Sequence, residues 1–223
     1  MIRHEVLFQP IVRLADWEIV GFEALARFDD GRSPLAHLHD ARSDGSLVEL
    51  ELRLIETALA SCASLPKHLM TTVNASVETM LDPRLAEMLA RDTSREWGVE
   101  LSEMSAVTVY EGLRQVVSNL GLVLLIDDAG SRHSDVDRVS KSSPAVVKVD
   151  KGVLQRATDA VPDTRALREY RAAATAAGAL ALAEGVETPT QRRLLIDFGY
   201  DLGQGYLFGH PAPVEDWVAR LPQ

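Results

Sequence analysis

The chain has 223 residues, of which 46% are hydrophobic and 25% are charged, and its formal net charge is −10. This composition is that of a globular protein, and it excludes disordered and fibrous classes. The negative charge excludes groove binding to duplex nucleic acid, and it would repel a phosphate ligand unless cations intervene. The N-terminus has no apolar core of signal-peptide length and no stretch approaches a membrane span. We therefore expect a cytoplasmic protein without membrane contact.

Short apolar segments alternate with amphipathic segments along the whole chain. The predicted strands are Leu7–Val12, Trp17–Leu25, Leu69–Asn74, Gly98–Leu101, Val123–Asp127, Val146–Asp150, Ala179–Ala183 and Gly203–Phe208. The predicted helices are Ser46–Leu65, Pro83–Arg91, Val107–Leu120, Asp163–Ala177 and Thr190–Phe198. This alternation predicts βαβ units, a mostly parallel sheet and a single α/β domain over residues 1–223.

Two segments depart from this alternation. Only a few residues, around Ala15 and Asp16, separate the first two strands. That connection is too short for a crossover helix, so the two strands should pair antiparallel as a hairpin. The polar segment Ser131–Ser143 is predicted to be a mobile loop. Periodicity does not decide between a closed barrel and an open doubly wound sheet, but no glycine-rich fingerprint follows a strand, which weakens a dinucleotide-binding open sheet.

Polar side chains lie at or near the ends of seven consecutive predicted strands. In an α/β barrel the carboxyl ends of the strands converge on one face, where active sites are built. A single acidic residue at such a place is more often a helix cap or a turn residue, whereas a lysine within an apolar strand needs a partner. The residues concerned are Glu23, Asn74, Glu100, Asp127, Asp128, Lys148, Glu184 and Gln204.

The acidic members of this set would repel one another strongly if they met, and this repulsion points to bound cations. Carboxylate and amide oxygens favour Mg²⁺ or Mn²⁺ over Zn²⁺, which prefers histidine and cysteine. The six histidines are scattered without ligand spacing. An oxygen-rich cluster with the adjacent pair Asp127 and Asp128 is typical of a two-metal site that acts on a phosphodiester. The sequence therefore predicts a metal-assisted phosphodiesterase.

Eight short motifs resemble those of the EAL domain family. GFEALAR at Gly21–Arg27 is similar to the family signature. The resemblance covers nearly the whole chain and implies a TIM-like (β/α)8 barrel with an antiparallel first strand, which hydrolyses the bacterial second messenger cyclic di-GMP to linear pGpG. The other motifs, in the expected order and spacing, are FQPI at Phe8–Ile11, VNAS at Val73–Ser76, VELSE at Val99–Glu103, IDDAG at Ile126–Gly130, VKVD at Val147–Asp150, AEGVET at Ala183–Thr188 and GQGYLFGHP at Gly203–Pro211.

The same resemblance implies a role for each matching residue. Two divalent cations, Mg²⁺ or Mn²⁺, would be held by Glu23, Asn74, Glu100, Asp127, Asp128 and Glu184. The implied catalytic residues are Lys148, Glu184, Gln204 and Asp128, with Lys148 orienting or deprotonating the attacking water and Gln204 supporting that water. The implied substrate-binding residues are Gln9, Leu25, Arg27 and Glu187. Glu103 would anchor the loop after the aspartates, and the chain would form a homodimer with Ser131–Ser143 near the interface.

The loop after the aspartates departs from the family pattern. Robustly active members read close to DDFGTGYSS there, whereas this chain reads DDAGSRHSD. Ala129 replaces the aromatic residue, Arg132 a glycine and His133 the tyrosine, and an arginine at that place disfavours a positive-φ turn. Two alternatives to an active enzyme therefore stay open. They are a catalytically silent receptor for cyclic di-GMP and a degenerate domain that is kept for protein contacts.

Overall fold

The eight strands of the protein close into a barrel. The computed structural model describes residues 3–92, 94–101, 110–129, 135–159 and 161–221, without the side chains of residues 128 and 135–138. Each strand pairs with the next one along the chain, and the last strand pairs with the first. The strands are β1 (His4–Arg13), β2 (Ile19–Phe28), β3 (Met70–Ala75), β4 (Trp97–Leu101), β5 (Val123–Ala129), β6 (Val146–Val149), β7 (Leu180–Ala183) and β8 (Leu202–Gly203).

Helices connect the parallel strands and pack on the outside of the barrel. The longest in the described part of the chain has 15 residues, short of the roughly 20 apolar residues that a membrane-spanning helix needs, and none there qualifies as a span. The helices are α1 (Pro34–Asp44), α2 (Leu47–Ser61), α3 (Val77–Met80), α4 (Pro83–Leu89), α5 (Tyr110–Leu120), α6 (Asp135–Ser142), α7 (Lys151–Thr158), α8 (Arg165–Ala177), α9 (Pro189–Asp197) and α10 (Val214–Val218).

The pairing of the strands answers the question that periodicity left open. β1 runs antiparallel to both β2 and β8, whereas all six pairs from β2–β3 to β7–β8 are parallel. The predicted hairpin and the predicted TIM-like barrel with an antiparallel first strand are thus confirmed. Because β2 to β8 are parallel, their carboxyl ends open on the same face of the barrel.

Two layers of side chains fill the barrel from one end to the other. Successive side chains of a strand point to opposite faces of the sheet, so a residue two positions after an interior residue also points into the barrel. Leu125 precedes Asp127 by two positions, and Val146 precedes Lys148 in the same way. The polar side chains lie directly above the apolar layer, on the side of the open face. The apolar layer is a buried cluster of Ile11, Met70, Leu125, Val146, Leu182 and Leu202.

Capping residues begin two helices that border this open face. The carboxylate of Asp150 accepts a hydrogen bond from the amide of Gly152 at 2.9 Å and begins α7 directly after β6. Thr188 forms a capping box with Gln191 at the start of α9, and Gln191 also accepts from the amide of Glu187 at 2.8 Å. Such caps satisfy amides that the first helical turn leaves free.

The last strand of the barrel is shorter than predicted. Gly203–Phe208 is wrong as a strand, since β8 is only Leu202–Gly203 and the chain turns after it. Gly205 lies at φ 155°, and a Cβ there would lie 2.3 Å from backbone atoms of Val186. The close approach of these two segments bends the chain away from the barrel.

The polar segment Ser131–Ser143 is also corrected in part. Residues 135–142 form α6, so this stretch is a helix and not a loop, while residues 131–134 lie outside the described part. Asp150, predicted as the end of a strand, instead caps α7. Trp17 lies in the β1–β2 turn at φ 67° and not in β2. The predicted helix Val107–Leu120 is present from Tyr110 onward, and residues 107–109 are not described.

Candidate active site

Lys148 lies at the centre of four carboxylates at the open face of the barrel. Its side chain is 1% exposed, and Nζ lies 2.9 Å from Oδ1 of Asp127 and 2.9 Å from Oε1 of Glu184. Nζ also donates hydrogen bonds to Glu100 and, at 3.4 Å, to Glu23. One ammonium group therefore faces four carboxylates that come from four other places around the barrel.

Neutral side chains hold two of these carboxylates in position. The amide nitrogen of Gln204 donates to Oε2 of Glu23 at 2.8 Å, and that of Asn74 donates to Oε1 of the same carboxylate at 3.0 Å. The hydroxyl of Thr72 donates to Glu100. Each oxygen of Glu23 therefore accepts a hydrogen bond from a side-chain amide, and the carboxylate cannot rotate without losing one of them.

The cluster retains protons because it is buried and rich in negative charge. Burial, followed by the charge of Glu23, raises the pKa of Glu100 well above its ordinary value. Burial, with further contributions from Asp127 and Glu23, raises the pKa of Glu184 to about 8. Burial alone would lower the pKa of Lys148, but the surrounding carboxylates raise it well above its ordinary value. An additional positive charge at this place would relieve the repulsion.

The chemistry of the cluster fits divalent cations. Among the described residues, Oδ1 of Asp127 has no partner except the ammonium of Lys148, and Oε1 of Gln204 has no hydrogen-bond donor. Excess carboxylate charge and unsatisfied oxygens suit hard cations such as Mg²⁺ or Mn²⁺. In the described part of the chain no three acidic, histidine or cysteine side chains are already arranged as a metal-binding group. The ammonium of Lys148 lies between the carboxylates. The residues that could hold cations are Glu23, Asn74, Glu100, Asp127 and Glu184.

A cleft with two lobes opens above the cluster. The lobes share Glu23, Leu25 and Asp127, so the carboxylates lie where the two meet. The polar lobe has a volume of about 340 Å³ and is bordered by Gln9, Lys151, Gln155, Glu184, Glu187 and Tyr206. The apolar lobe has a volume of about 350 Å³ and is bordered by Arg27, Pro34, Leu35, Leu38, Leu54 and Ile55.

The structure brings together most of the predicted site residues. Around Lys148 it gathers Glu23, Glu100, Asp127, Glu184, Gln204 and, through Glu23, Asn74. Of the predicted substrate-binding residues, Gln9, Leu25 and Glu187 border the polar lobe and Arg27 the apolar lobe. The backbone of Asp128 lies in β5, but its side chain is not described, and Glu103 lies outside the described residues. The roles of these residues stay predictions.

Sequence reasoning missed four residues of this region. Thr72 could have been found from the sequence, because it precedes Asn74 by two positions and therefore lies on the same face of the strand. Lys151, Gln155 and Tyr206 border the polar lobe from a helix and a turn. No pattern in the sequence predicts these three residues, because their position in the lobe depends on how α7 and the turn after β8 pack on the barrel.

The model of the EAL domain family matches residues 3–211 of this chain. The chain is 25% identical to the probable cyclic di-GMP phosphodiesterase PdeN of Escherichia coli over 97% of this chain and 45% of PdeN. It is 26% identical to the cyclic di-GMP phosphodiesterase RocR of Pseudomonas aeruginosa over 96% of this chain and 59% of RocR. It thus spans less than two thirds of the length of these relatives.

Solved structures show the same fold. BlrP1 of Klebsiella pneumoniae, in its calcium and cyclic di-GMP complex, is 25% identical with a TM-score of 0.76, over 94% of this chain and 56% of that one. Its manganese and cyclic di-GMP complex at pH 9.0 is 23% identical with a TM-score of 0.78, over 95% and 59%. The family match over nearly the whole length, the closed barrel and the motifs at its open face agree. This chain belongs to the EAL domain family.

Proposed function

We propose that this chain is a metal-dependent phosphodiesterase that hydrolyses cyclic di-GMP to linear pGpG. The observation that carries the proposal is the gathering of Glu23, Glu100, Asp127 and Glu184 around Lys148 at the base of an open cleft. The names of PdeN and RocR support this substrate. The BlrP1 complexes, which contain cyclic di-GMP with calcium or manganese, support a divalent cation.

Two cations, Mg²⁺ or Mn²⁺, would be held by oxygen ligands around Lys148. When bound, such a pair activates a water molecule and neutralises charge on a phosphodiester. The donor set is all oxygen, which agrees with this class of metal. The proposed ligands are Glu23, Asn74, Glu100, Asp127, Asp128 and Glu184.

Lys148 and Gln204 act on the reacting groups in this proposal. The ammonium of Lys148 orients the attacking water and stabilises the negative charge that develops on the phosphoryl oxygens. Oε1 of Gln204 lacks a donor among the described residues and can accept a hydrogen bond from that water, while its nitrogen holds Glu23 in position. Arg27, in the apolar lobe, can bind a phosphate through two parallel hydrogen bonds.

The direct test is turnover of cyclic di-GMP, followed by chromatography of the products. The protein with Mg²⁺ or Mn²⁺ should release pGpG, and Asp127→Asn should abolish release. Asp163→Asn is the matched control, because Asp163 pairs with Arg165 on the surface away from the cleft. Failure to produce pGpG with either cation would refute the proposed phosphodiesterase activity.

A silent receptor for cyclic di-GMP is the second candidate. The departure at Ala129, which is buried at the end of β5 beside the proposed ligands Asp127 and Asp128, favours it. Calorimetry distinguishes the two functions, since a receptor binds cyclic di-GMP without forming product. The homodimer stays a prediction, and sedimentation that shows a strict monomer at working concentration would contradict it.

A further inference from the structure

Helix α7 presents two polar side chains to the polar lobe. Lys151 and Gln155 are four positions apart, so they lie on the same face of the helix, one turn from each other. Both border the polar lobe together with Glu187. Within the described residues, neither side chain pairs with the carboxylates around Lys148, so both are available to a ligand in the lobe.

The backbone around Lys151 fixes where its side chain begins. Gly185 follows Glu184 and has φ +67°, a conformation that L side chains rarely adopt. A Cβ at Gly185 would lie 2.5 Å from Cβ of Lys151. The start of α7 is therefore in close contact with the loop that carries both Glu184 and Glu187.

The charge of Lys151 is available to a ligand. Among the described residues no carboxylate lies within 4.0 Å of its ammonium, whereas Lys148, the other lysine of the lobe, is surrounded by four. The lobe also contains the exposed Glu187 and the ring of Tyr206, which is 57% exposed and stacked on His210 at 4.0 Å. A donor-only group, an acceptor-only group and an aromatic face are thus combined in one lobe.

We infer that Lys151 recognises the O6 and N7 edge of a guanine base in the polar lobe, with Glu187 accepting from the N1 and N2 edge. Guanine offers acceptors at O6 and N7, whereas adenine carries an amino group in place of O6. That amino group would face the ammonium of Lys151, which has no acceptor to offer it. Tyr206 provides a surface on which a base can stack. This inference rests on the proposed function and adds the residue that sets the preference for guanine.

The test compares the dissociation constants of cyclic di-GMP and cyclic di-AMP, measured by calorimetry with Ca²⁺ and by competition for the weaker ligand. Lys151→Met keeps the stem against Gly185 and removes the donor. It should raise the dissociation constant of cyclic di-GMP roughly tenfold and change that of cyclic di-AMP by less than about twofold. Lys151→Arg should retain most of the preference, and Arg156→Met, on the same helix but outside the cleft, should change neither constant.

Three results would overturn the inference. An equal loss for both dinucleotides in Lys151→Met would mean that the ammonium binds a phosphate, and an unchanged preference would mean that it contacts no base. If the folded wild-type protein binds neither dinucleotide, the proposed function fails together with the inference. If it binds and hydrolyses cyclic di-GMP while Lys151→Met keeps the full preference, only the inference fails.

Discussion

The ammonium of Lys148 on β6 lies 2.9 Å from the carboxylate of Glu184, which immediately follows the neighbouring strand β7. In strand register Lys148 pairs with Leu182, so the lysine reaches up one layer to meet this carboxylate. Lys148 is thus the positive partner of the whole cluster as well as the proposed contact of the attacking water. Its two roles can be separated by experiment.

Replacing Lys148 with methionine should damage both roles. Removal of one partner from a buried charge cluster costs roughly 3–5 kcal/mol of unfolding free energy, and loss of a transition-state donor lowers kcat by roughly 100-fold or more. Urea unfolding and pGpG release measure the two effects. Mn²⁺ should restore part of the stability but none of the activity, because cations replace the lost charge and not the donor.

Lys67→Met is the matched control for this substitution. Lys67 pairs with Asp92 at the surface with 47% of its side chain exposed, and such pairs contribute less than about 1 kcal/mol. A Lys148→Met protein that is as stable as this control would contradict the cluster described above.

The stability of the metal-free protein should fall as pH rises from about 4.5 to 8. The pKa of Glu184 is raised from 4.5 to about 8, so across that window the folded state keeps a proton that the unfolded chain has lost. Since the folded state then binds more protons, the unfolding free energy declines with increasing pH. Urea unfolding in the presence of a chelator at several pH values measures this slope. Glu184→Gln should reduce the slope without abolishing it, because the pKa of Glu100 is also raised. A slope of opposite sign in the wild-type protein would refute the explanation.

Divalent cations should reverse this trend. Metal ligands bind in their deprotonated form, so cation uptake releases protons and becomes stronger as pH rises. We expect Mn²⁺ to raise the Tm of the wild-type protein more at pH 8 than at pH 6, as measured by calorimetric melting. Asp127→Asn should lose most of this increase while Asp163→Asn keeps it. An equal increase in both variants would place the cation elsewhere.

Replacing Arg95 should lower the stability of the protein without changing substrate binding. Its side chain is fully buried at the amino ends of β3 and β4 and donates to the carbonyls of Cys62, Leu65, Pro66 and Leu69. Arg95→Met removes these donors, although the carbonyls of Cys62 and Pro66 still accept from the amides of Leu65 and Leu69. The loss should lower the unfolding free energy by roughly 1–3 kcal/mol. The KM for cyclic di-GMP should not change. A raised KM with unchanged stability would show that this end of the barrel communicates with the cleft.

The interior of the barrel is the part of the fold that the sequence predicts best. Strand side chains alternate, so an apolar residue two positions before a polar one indicates both layers at once, as in Leu182 and Glu184 or Leu125 and Asp127. The hairpin of β1 and β2 was equally accessible, because a connection of a few residues admits only antiparallel pairing.

Features that depend on contacts between distant segments were not accessible. The end of β8 depends on the close approach of Gly205 to Val186, and no local pattern shows that contact. Polar composition predicted a loop where α6 forms, although half of the residues in such a helix can face solvent. Lys151 gave no signal because only the packing of α7 on the barrel brings it to the polar lobe.

Anomalous diffraction from crystals grown with Mn²⁺ would locate the proposed cations. We expect two peaks roughly 3.5–4 Å apart between Glu23, Glu184 and the pair Asp127 and Asp128, with the ammonium of Lys148 displaced from the centre of the carboxylates. Crystals that contain Mn²⁺ but show no peak in the cleft, with Lys148 still bound to all four carboxylates, would contradict this expectation.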